Sequence, residues 1–278
     1  MEIISPKIDF AFRELMEDDE VRRYFISDVL DMPVEQIKET RLGNSFLRRR
    51  FQKMKQGILD VKVFLLDGTR INIEMQLRRQ KFWIKRSLFY LSKMYTDILF
   101  VGEEYHKLQR CISIHILDFN LIEGDSNHNV YRMRDSVGKD LTNLLELHTI
   151  ELRKALQGNN RIDDWVRLFN AKTEEDLRMI KTKNIGIEKA KCTVQELSLS
   201  ESLREVVDYY RKKKMDRKAE DAYVYDQGLE NGELNMLFKL VADQTIDMST
   251  AAEKCEMPKE EFEKKYLDAG YGKTEDIR

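Results

Sequence analysis

Two hydrophobic patterns divide the chain. Up to about residue 152, helically spaced segments are interspersed with alternating or continuous apolar runs of strand length. From about residue 161 onward the strand pattern disappears, and apolar residues recur every three or four positions, the period of an amphipathic helix. The pattern therefore predicts an α/β or α+β region, a sheet flanked by helices, followed by an all-helical region.

The first region contains several well-defined candidate elements. "KIDFAFRELM", after Pro6, and "DEVRRYFISDVLDM", before Pro33, predict two helices, and "QKFWIKRSLFYLSKMYTDILF" predicts a long amphipathic one. The β-branched run "RCISIHILDF" predicts a buried strand, and "NVYRMRD" with "LLELHTIEL" predicts a pair of edge strands. Residues 34–56 are polar and increasingly basic, which fits either a loop or an irregular strand.

The stretch "GILDVKVFLLDGTRINIEMQ", residues 57–76, predicts a β-hairpin with one aliphatic and one polar face. The polar face would hold Asp60, Lys62, Phe64, Asn72, Glu74 and Gln76. A three-residue loop at positions 67–69 keeps both carboxylates on that face, with residue 60 opposite 76 and 62 opposite 74. A two-residue turn would scramble the faces.

The polar face has the groups that a metal site needs. On that register Asp60 and Glu74 are diagonal neighbours, roughly 5–8 Å apart, and carboxylates so close repel unless a cation lies between them. Mg²⁺ takes one or two carboxylates together with waters and substrate phosphates, and Gln76 could orient a metal-bound water. These groups suit metal-assisted phosphodiester hydrolysis. The alternative is a hairpin whose polar face simply meets solvent.

Charge is unevenly distributed, although the formal net charge is only −2. Residues 41–90 contain 13 Lys/Arg against 3 Asp/Glu, whereas residues 226–278 contain 7 against 13. A basic block beside an acidic tail is expected when one part of a protein meets a polyanion. Ordinary solvated helix surfaces are the alternative.

The remaining composition indicates a cytoplasmic protein without a membrane partner. The three cysteines form no CxxC pair, which fits a reducing compartment. The four histidines have no metal-ligand spacing, so each is expected to be an ordinary buried or surface histidine. No signal peptide is evident, and no segment approaches the ~20 apolar residues of a membrane span.

The hairpin resembles the core of the PD-(D/E)XK nucleases, with Asp60 as the motif aspartate and "IEMQ" as an E-x-Q variant. "SPKIDFAFREL", "FWIKRSLFYLSKMYTDIL" and "GEEYHKLQRCISIHILDFNLIEG" are similar to the Rpn-type group of that superfamily, the recombination-promoting nucleases and transposase-like proteins. The resemblance covers about residues 5–155. It implies a restriction-endonuclease-like mixed sheet and a metal-dependent DNA endonuclease.

The resemblance also assigns residues to the site. It implies that Asp60, Glu74 and the backbone carbonyl of Met75 bind Mg²⁺ or Mn²⁺, with Gln76 in the position usually held by lysine. Because an amide supplies no charge, Lys62 is a candidate for the missing cation.

Other assigned residues lie outside the hairpin. Asp9 would match an acidic residue on the first helix of many family members, although a helix-start charge explains it equally well. Arg86 and Tyr90, four residues apart on the long helix, would contact the DNA backbone, unless Arg86 is a surface residue over a packed aromatic ring. The basic block adds candidate DNA contacts at Arg48, Arg49, Arg50 and Lys53.

The expected organisation is a nuclease-like domain at 1–157, a helical region at 158–225 and an acidic helical tail at 226–278 with a helix-turn-helix-like hairpin. Two functions remain open at this point. One is a Mg²⁺-dependent DNA endonuclease that promotes recombination or mobile-element transfer. The other is a catalytically weak or inactive nuclease fold that binds DNA or a protein partner. Homo-oligomerisation through the C-terminal helices is a further expectation.

Overall fold

The computed structural model describes residues 1–37, 40–42, 61–158 and 160–271. The chain forms two compact units, Met1–Arg204 and Glu205–Arg278.

A six-stranded mixed sheet forms the centre of the first unit. Its strands are β1 Thr40–Leu42, β2 Val61–Leu65, β3 Arg70–Gln76, β4 Cys111–Leu117, β5 His128–Arg134 and β6 Asp140–Glu151. They lie in the order β1-β2-β3-β4-β6-β5, with β3, β4 and β6 parallel and the other pairs antiparallel. The predicted mixed α/β sheet is confirmed. The predicted edge pair is confirmed, because β5 and β6 pair at one edge of the sheet. β5 is the outer strand, and the second half of β6 is buried.

In the described ranges, six α-helices complete this unit: α1 Asp9–Glu17, α2 Asp19–Leu30, α3 Trp83–Thr96, α4 Ile162–Asn170, α5 Glu174–Met179 and α6 Ile185–Leu199. Their ends follow from local chemistry. The Asp18 carboxylate accepts hydrogen bonds from the first backbone amides of α2, and Thr173 forms a capping box with Asp176 at the start of α5.

The sheet separates two hydrophobic cores. The larger one joins the aliphatic side of β2, β3 and β4 to helices α1, α2, α4, α5 and α6. The smaller one packs Trp83, Leu91 and Met94 of α3 against Cys111 and Leu147 on the other face. Helices α4 to α6, which the sequence placed in a separate helical region, thus share a core with the sheet, and the first unit ends at Arg204.

The β2–β3 hairpin has the predicted faces but a different register. Val61 pairs with Ile73, and Lys62 pairs with Asn72 rather than with Glu74. The loop starts one residue earlier than expected, because the Gly68 amide bonds the Leu65 carbonyl and the Leu65 amide bonds the Thr69 carbonyl. Gly68 has a φ of +86°, the left-handed conformation expected for a three-residue loop. The even parity that keeps the polar residues together is therefore retained.

A glycine on α6 permits close packing against α2. A Cβ added at Gly186 would lie 2.4 Å from the Cβ of Tyr24, a separation that real Cβ atoms do not adopt. We expect Gly186→Ala to lower the free energy of unfolding by about 1–3 kcal/mol, because overpacking forces the helices apart. Gly228→Ala is the matched control, since nothing lies within 4 Å of its added Cβ and alanine favours a helix. Urea unfolding checks both, and equal effects would contradict the packing argument.

The second unit is helical. Helix α7, Glu201–Ala242, is followed by α8, Met248–Lys254, and α9, Lys259–Asp268. The core of this unit packs Phe238 against the rings of Phe262 and Tyr266 at 5.1 and 5.6 Å. In the described ranges, every helix is too short or too polar to cross a membrane. Self-association through these helices stays a prediction.

Candidate active site

Among the described residues, Glu74 is the carboxylate on the polar face of the hairpin. Its side chain is 13% exposed and lies between two nitrogen-bearing groups. One oxygen, Oε2, is 3.5 Å from His115 Nδ1 on β4, and the other, Oε1, is 3.9 Å from the Arg86 guanidinium on α3. The carboxylate is thus flanked by an imidazole and by a cation that is half exposed.

His115 reaches Glu74 because the parallel register of β3 and β4 makes the two residues Cα partners. Its Nε2 is 2.8 Å from Ser113 Oγ, and the Trp83 ring packs edge-on at 4.9 Å. Burial, and secondly the charge of Arg86, lowers the pKa of His115 to about 3, so that the imidazole is neutral at pH 7. The predicted burial is confirmed, but the contact with Glu74 had no signal in local sequence.

Asn72 and Lys62 form the next pair along the hairpin. The Asn72 side-chain oxygen is buried and has no hydrogen-bond partner. The predicted position of Lys62 opposite Glu74 is wrong, because the register is shifted by two residues. The Lys62 ammonium lies 5.1 Å from the centroid of the Phe64 ring.

Gln76 and Met75 lie at the end of β3. The Gln76 amide group donates a hydrogen bond to the Arg78 carbonyl at 3.1 Å, so in this conformation it is bonded towards the strand exit. The Met75 side chain packs against the larger core, as strand alternation requires. Its backbone carbonyl is the group that the resemblance assigns to a metal.

Arg86 and Tyr90 occupy successive turns of α3. The Arg86 guanidinium lies 5.4 Å from the Tyr90 ring centroid and also bonds Gln80 Oε1 at 3.0 Å. Arg86 therefore lies over an aromatic ring, as one expectation had it, and it also lies beside Glu74 of the candidate site. With 46% of its side chain exposed, Arg86 can reach both Glu74 and solvent.

The comparisons with known proteins identify the family. A family model described as PD-(D/E)XK nuclease family transposase matches residues 6–223, well over half of the 278 residues. The chain belongs to this family. No curated protein and no solved structure matches it. The matched range contains the whole sheet and helices α1 to α6, so the PD-(D/E)XK assignment rests on the same elements as the site.

Several expected site residues of this family member lie away from Glu74 or outside the described residues. Asp9 begins α1, which packs on the opposite side of the sheet, and its 78% exposed side chain pairs with Arg13 at 3.6 Å. Its catalytic role stays a prediction. The residues outside the described ranges are Asp60, Arg48, Arg49, Arg50 and Lys53.

The described residues of the candidate site fit part of a cation site. Among them, no three His, Cys, Asp or Glu side chains are grouped to hold a metal ion. Glu74 and the unpartnered oxygen of Asn72 nevertheless lie on one strand face, and both are the oxygen donors that Mg²⁺ prefers. Asp60 adjoins Val61, whose partner Ile73 precedes Glu74. The donor set therefore suits a hard divalent cation.

A second buried polar cluster lies on the opposite face of the sheet. His128 Nε2 is 3.1 Å from His148 Nδ1, whose Nε2 is 3.2 Å from the Glu146 carboxylate. Arg110 pairs with Glu146 at 2.7 Å. Burial alone would raise the pKa of Glu146. The hydrogen bond from His148 and the charge of Arg110 outweigh burial and lower this pKa to about 2. The cluster is thus a chain of hydrogen bonds around an ionised carboxylate.

This cluster and His115 predict that the first unit loses stability in mild acid. Burial, then the charge of His148, lowers the pKa of His128 to about 4, whereas an unfolded histidine titrates near 6.5. The contribution of these histidines to the free energy of unfolding is largest above pH 6.5. For His128 it decreases as the pH falls from about 6.5 towards about 4, because over that range the unfolded histidine binds a proton and the folded one does not. Each such histidine contributes up to about 1.4 kcal/mol per pH unit.

Urea unfolding between pH 7.5 and 5 measures this loss, followed by tryptophan fluorescence, because both tryptophans, Trp83 and Trp165, lie in the first unit. We expect His128→Asn to flatten the pH dependence relative to the natural protein. Equal slopes for both proteins would contradict the assignment to His128.

Proposed function

We propose that this protein is a DNA endonuclease that hydrolyses phosphodiester bonds with Mg²⁺ or Mn²⁺ and acts in recombination or mobile-element transfer in the cytoplasm. One observation carries the proposal: in a chain of a nuclease family, the strand following the hairpin turn holds a shielded carboxylate, Glu74, beside a half-exposed arginine. Carboxylates for a cation and a guanidinium for phosphate are the groups that such hydrolysis uses.

Asp60, Glu74 and the Met75 carbonyl would hold the cation. When bound, a divalent cation lowers the pKa of a water and stabilises the charge that develops on the phosphate. Arg86 is the residue that must change partner. At 3.9 Å its contact with Glu74 is loose, so the guanidinium can transfer to a DNA phosphate, which it binds in two-pronged fashion.

Other family members carry a lysine that both orients a water and supplies positive charge. In this chain Gln76 would orient the water and Lys62 would supply the charge. To orient a water, the Gln76 amide must release the Arg78 carbonyl, a single hydrogen bond of 3.1 Å. Lys62 supplies positive charge on the same face of the hairpin, opposite Asn72, which is two residues before Glu74. The division predicts slower hydrolysis than with a single lysine, since a neutral amide does not stabilise developing negative charge.

DNA would run across the basic side of the hairpin. We assign backbone contacts to Tyr90 and to the basic residues Arg48, Arg49, Arg50 and Lys53, and leave Asp9 as an additional acidic candidate. Contacts of this type release counterions, so binding should weaken steeply as salt rises from about 50 to 200 mM.

The test is cleavage of supercoiled plasmid DNA by the full chain. We expect nicked and linear product with Mg²⁺, none with a chelator, and none from Asp60→Ala with Mg²⁺. Asp67→Ala is the matched control, because Asp67 belongs to the same hairpin but lies in its loop, where it caps the Thr69 amide. Cleavage by Asp60→Ala at the natural rate would contradict the proposed ligand.

A second candidate is a nuclease fold that binds DNA or a protein partner with weak or no cleavage. The hydrogen bond that turns Gln76 towards Arg78 favours it. This alternative predicts salt-dependent DNA binding with no product at any Mg²⁺ or Mn²⁺ concentration, and metal-dependent nicking would exclude it.

A further inference from the structure

His115 has one satisfied and one unsatisfied ring nitrogen. Nε2 lies 2.8 Å from the Ser113 hydroxyl. Nδ1 is shielded from solvent, makes no hydrogen bond, and faces Glu74 Oε2 at 3.5 Å. A buried polar atom without a hydrogen-bond partner lowers the free energy of unfolding. We therefore expect Nδ1 to have a function that offsets this cost.

The backbone fixes where His115 can act. The register of β3 and β4 pairs Asn72 with Ser113 and Glu74 with His115. All four side chains therefore lie on the same face of the sheet. The Trp83 ring closes the other side of the imidazole at 4.9 Å. With its exposure at 2%, His115 has little room to turn away from Glu74.

The Ser113 hydroxyl can donate to Nε2 or accept from it, and the carboxylate that faces Nδ1 favours the first arrangement. When its hydroxyl donates to Nε2, the ring hydrogen must be on Nδ1, directed at the carboxylate. A short movement of the carboxylate then converts the 3.5 Å contact into a hydrogen bond. Hydrogen bonds at catalytic sites are often long in the unliganded protein and shorten when the site is assembled.

We propose that His115 is a positioning residue for Glu74: its Nδ1–H holds Oε2 so that Oε1 is presented to the divalent cation. This inference rests on the proposed function. The two neighbours of the carboxylate then have different tasks. Arg86 is charged and half exposed, and it competes with the cation until DNA draws it away. His115 is buried and held between Ser113 and Trp83, so it keeps Glu74 in one orientation.

The matched variants are His115→Asn and His115→Leu. The asparagine amide places an N–H near the position of Nδ1, whereas leucine fills similar space without a donor. Mn²⁺ binding to the full chain without DNA is measured by the electron paramagnetic resonance signal of the free ion. We expect about 10–100-fold weaker binding for His115→Leu, the usual loss when the partner of a metal ligand is removed, and recovery of most of the affinity in His115→Asn.

A second measurement does not depend on the stability of either variant. Nitrogen-15 NMR of the histidine rings in the natural protein should show His115 protonated on Nδ1. Protonation on Nε2 would overturn the proposal, because Nδ1 would then be an acceptor facing a carboxylate.

The outcomes separate this inference from the proposed function. If the natural protein binds Mn²⁺, Glu74→Ala abolishes binding and a folded His115→Leu binds as tightly as the natural protein, the positioning role is wrong and the metal site stands. If the natural protein shows no saturable Mn²⁺ binding, the proposed function fails, and the role of His115 with it.

Discussion

Glu74→Ala should reduce Mg²⁺-dependent DNA cleavage by at least about 10²-fold, the loss found when one electrostatic group that stabilises a transition state is removed. Glu74 is the shielded carboxylate of the polar strand face, and the variant leaves Arg86 without the carboxylate it contacts at 3.9 Å. Mg²⁺ should therefore bind weakly, while DNA binding should persist or strengthen, because Arg86 becomes free for phosphate. Single-turnover cleavage and DNA binding in Ca²⁺ measure the two effects separately.

Glu104→Ala is the control for Glu74→Ala. Glu104 is a carboxylate outside the hairpin sequence, with 81% of its side chain exposed and paired with His106. Its removal changes the net charge equally and should leave cleavage unchanged. A Glu74→Ala protein that cleaves within twofold of the natural rate would exclude Glu74 from the chemistry.

Trp165→Ala should lower the free energy of unfolding of the first unit by about 3–5 kcal/mol, the cost of truncating a large aromatic residue in a core. Trp165 is fully buried on α4 and meets the Phe25 ring of α2 edge-on at 5.1 Å. Its indole N–H also donates to Asp28 at 2.8 Å. Truncation leaves a cavity and removes one donor from a carboxylate whose pKa burial already raises.

Trp165→Phe separates the two contributions. Phenylalanine retains most of the apolar volume but has no N–H, so its loss of stability should be clearly smaller than that of alanine. Urea unfolding followed by far-ultraviolet circular dichroism measures both variants. A loss below about 1 kcal/mol for Trp165→Ala would mean that α2 and α4 are not packed as described.

Local sequence patterns predicted much of the fold. The alternation in residues 61–76 gave both faces of the hairpin, and the continuous apolar run at Cys111–Leu117 gave a strand that is buried throughout. The second helix was predicted to end before Pro33, and in the structure it ends at Leu30. These features depend on residues close together in the chain.

Two features of the sheet were not predicted: the register of the hairpin and the pairing of β3 with β4. The hairpin loop was displaced by one residue because Leu66, an apolar residue with 61% exposure, resembles the end of a strand. Gly68 is the last residue of the observed loop and has a positive φ, and the last position is where a three-residue loop takes the left-handed conformation. The contact between Glu74 and His115 depends on β4 adding in parallel to β3, which no local signal fixes.

The most direct test of the metal site is anomalous diffraction from a crystal of the full chain soaked in Mn²⁺. The account predicts a peak bound by the Glu74 carboxylate and by Asp60, with Arg86 moved away from Glu74 Oε1. Absence of a peak on Glu74 in a crystal where the Arg86–Glu74 contact persists would contradict it.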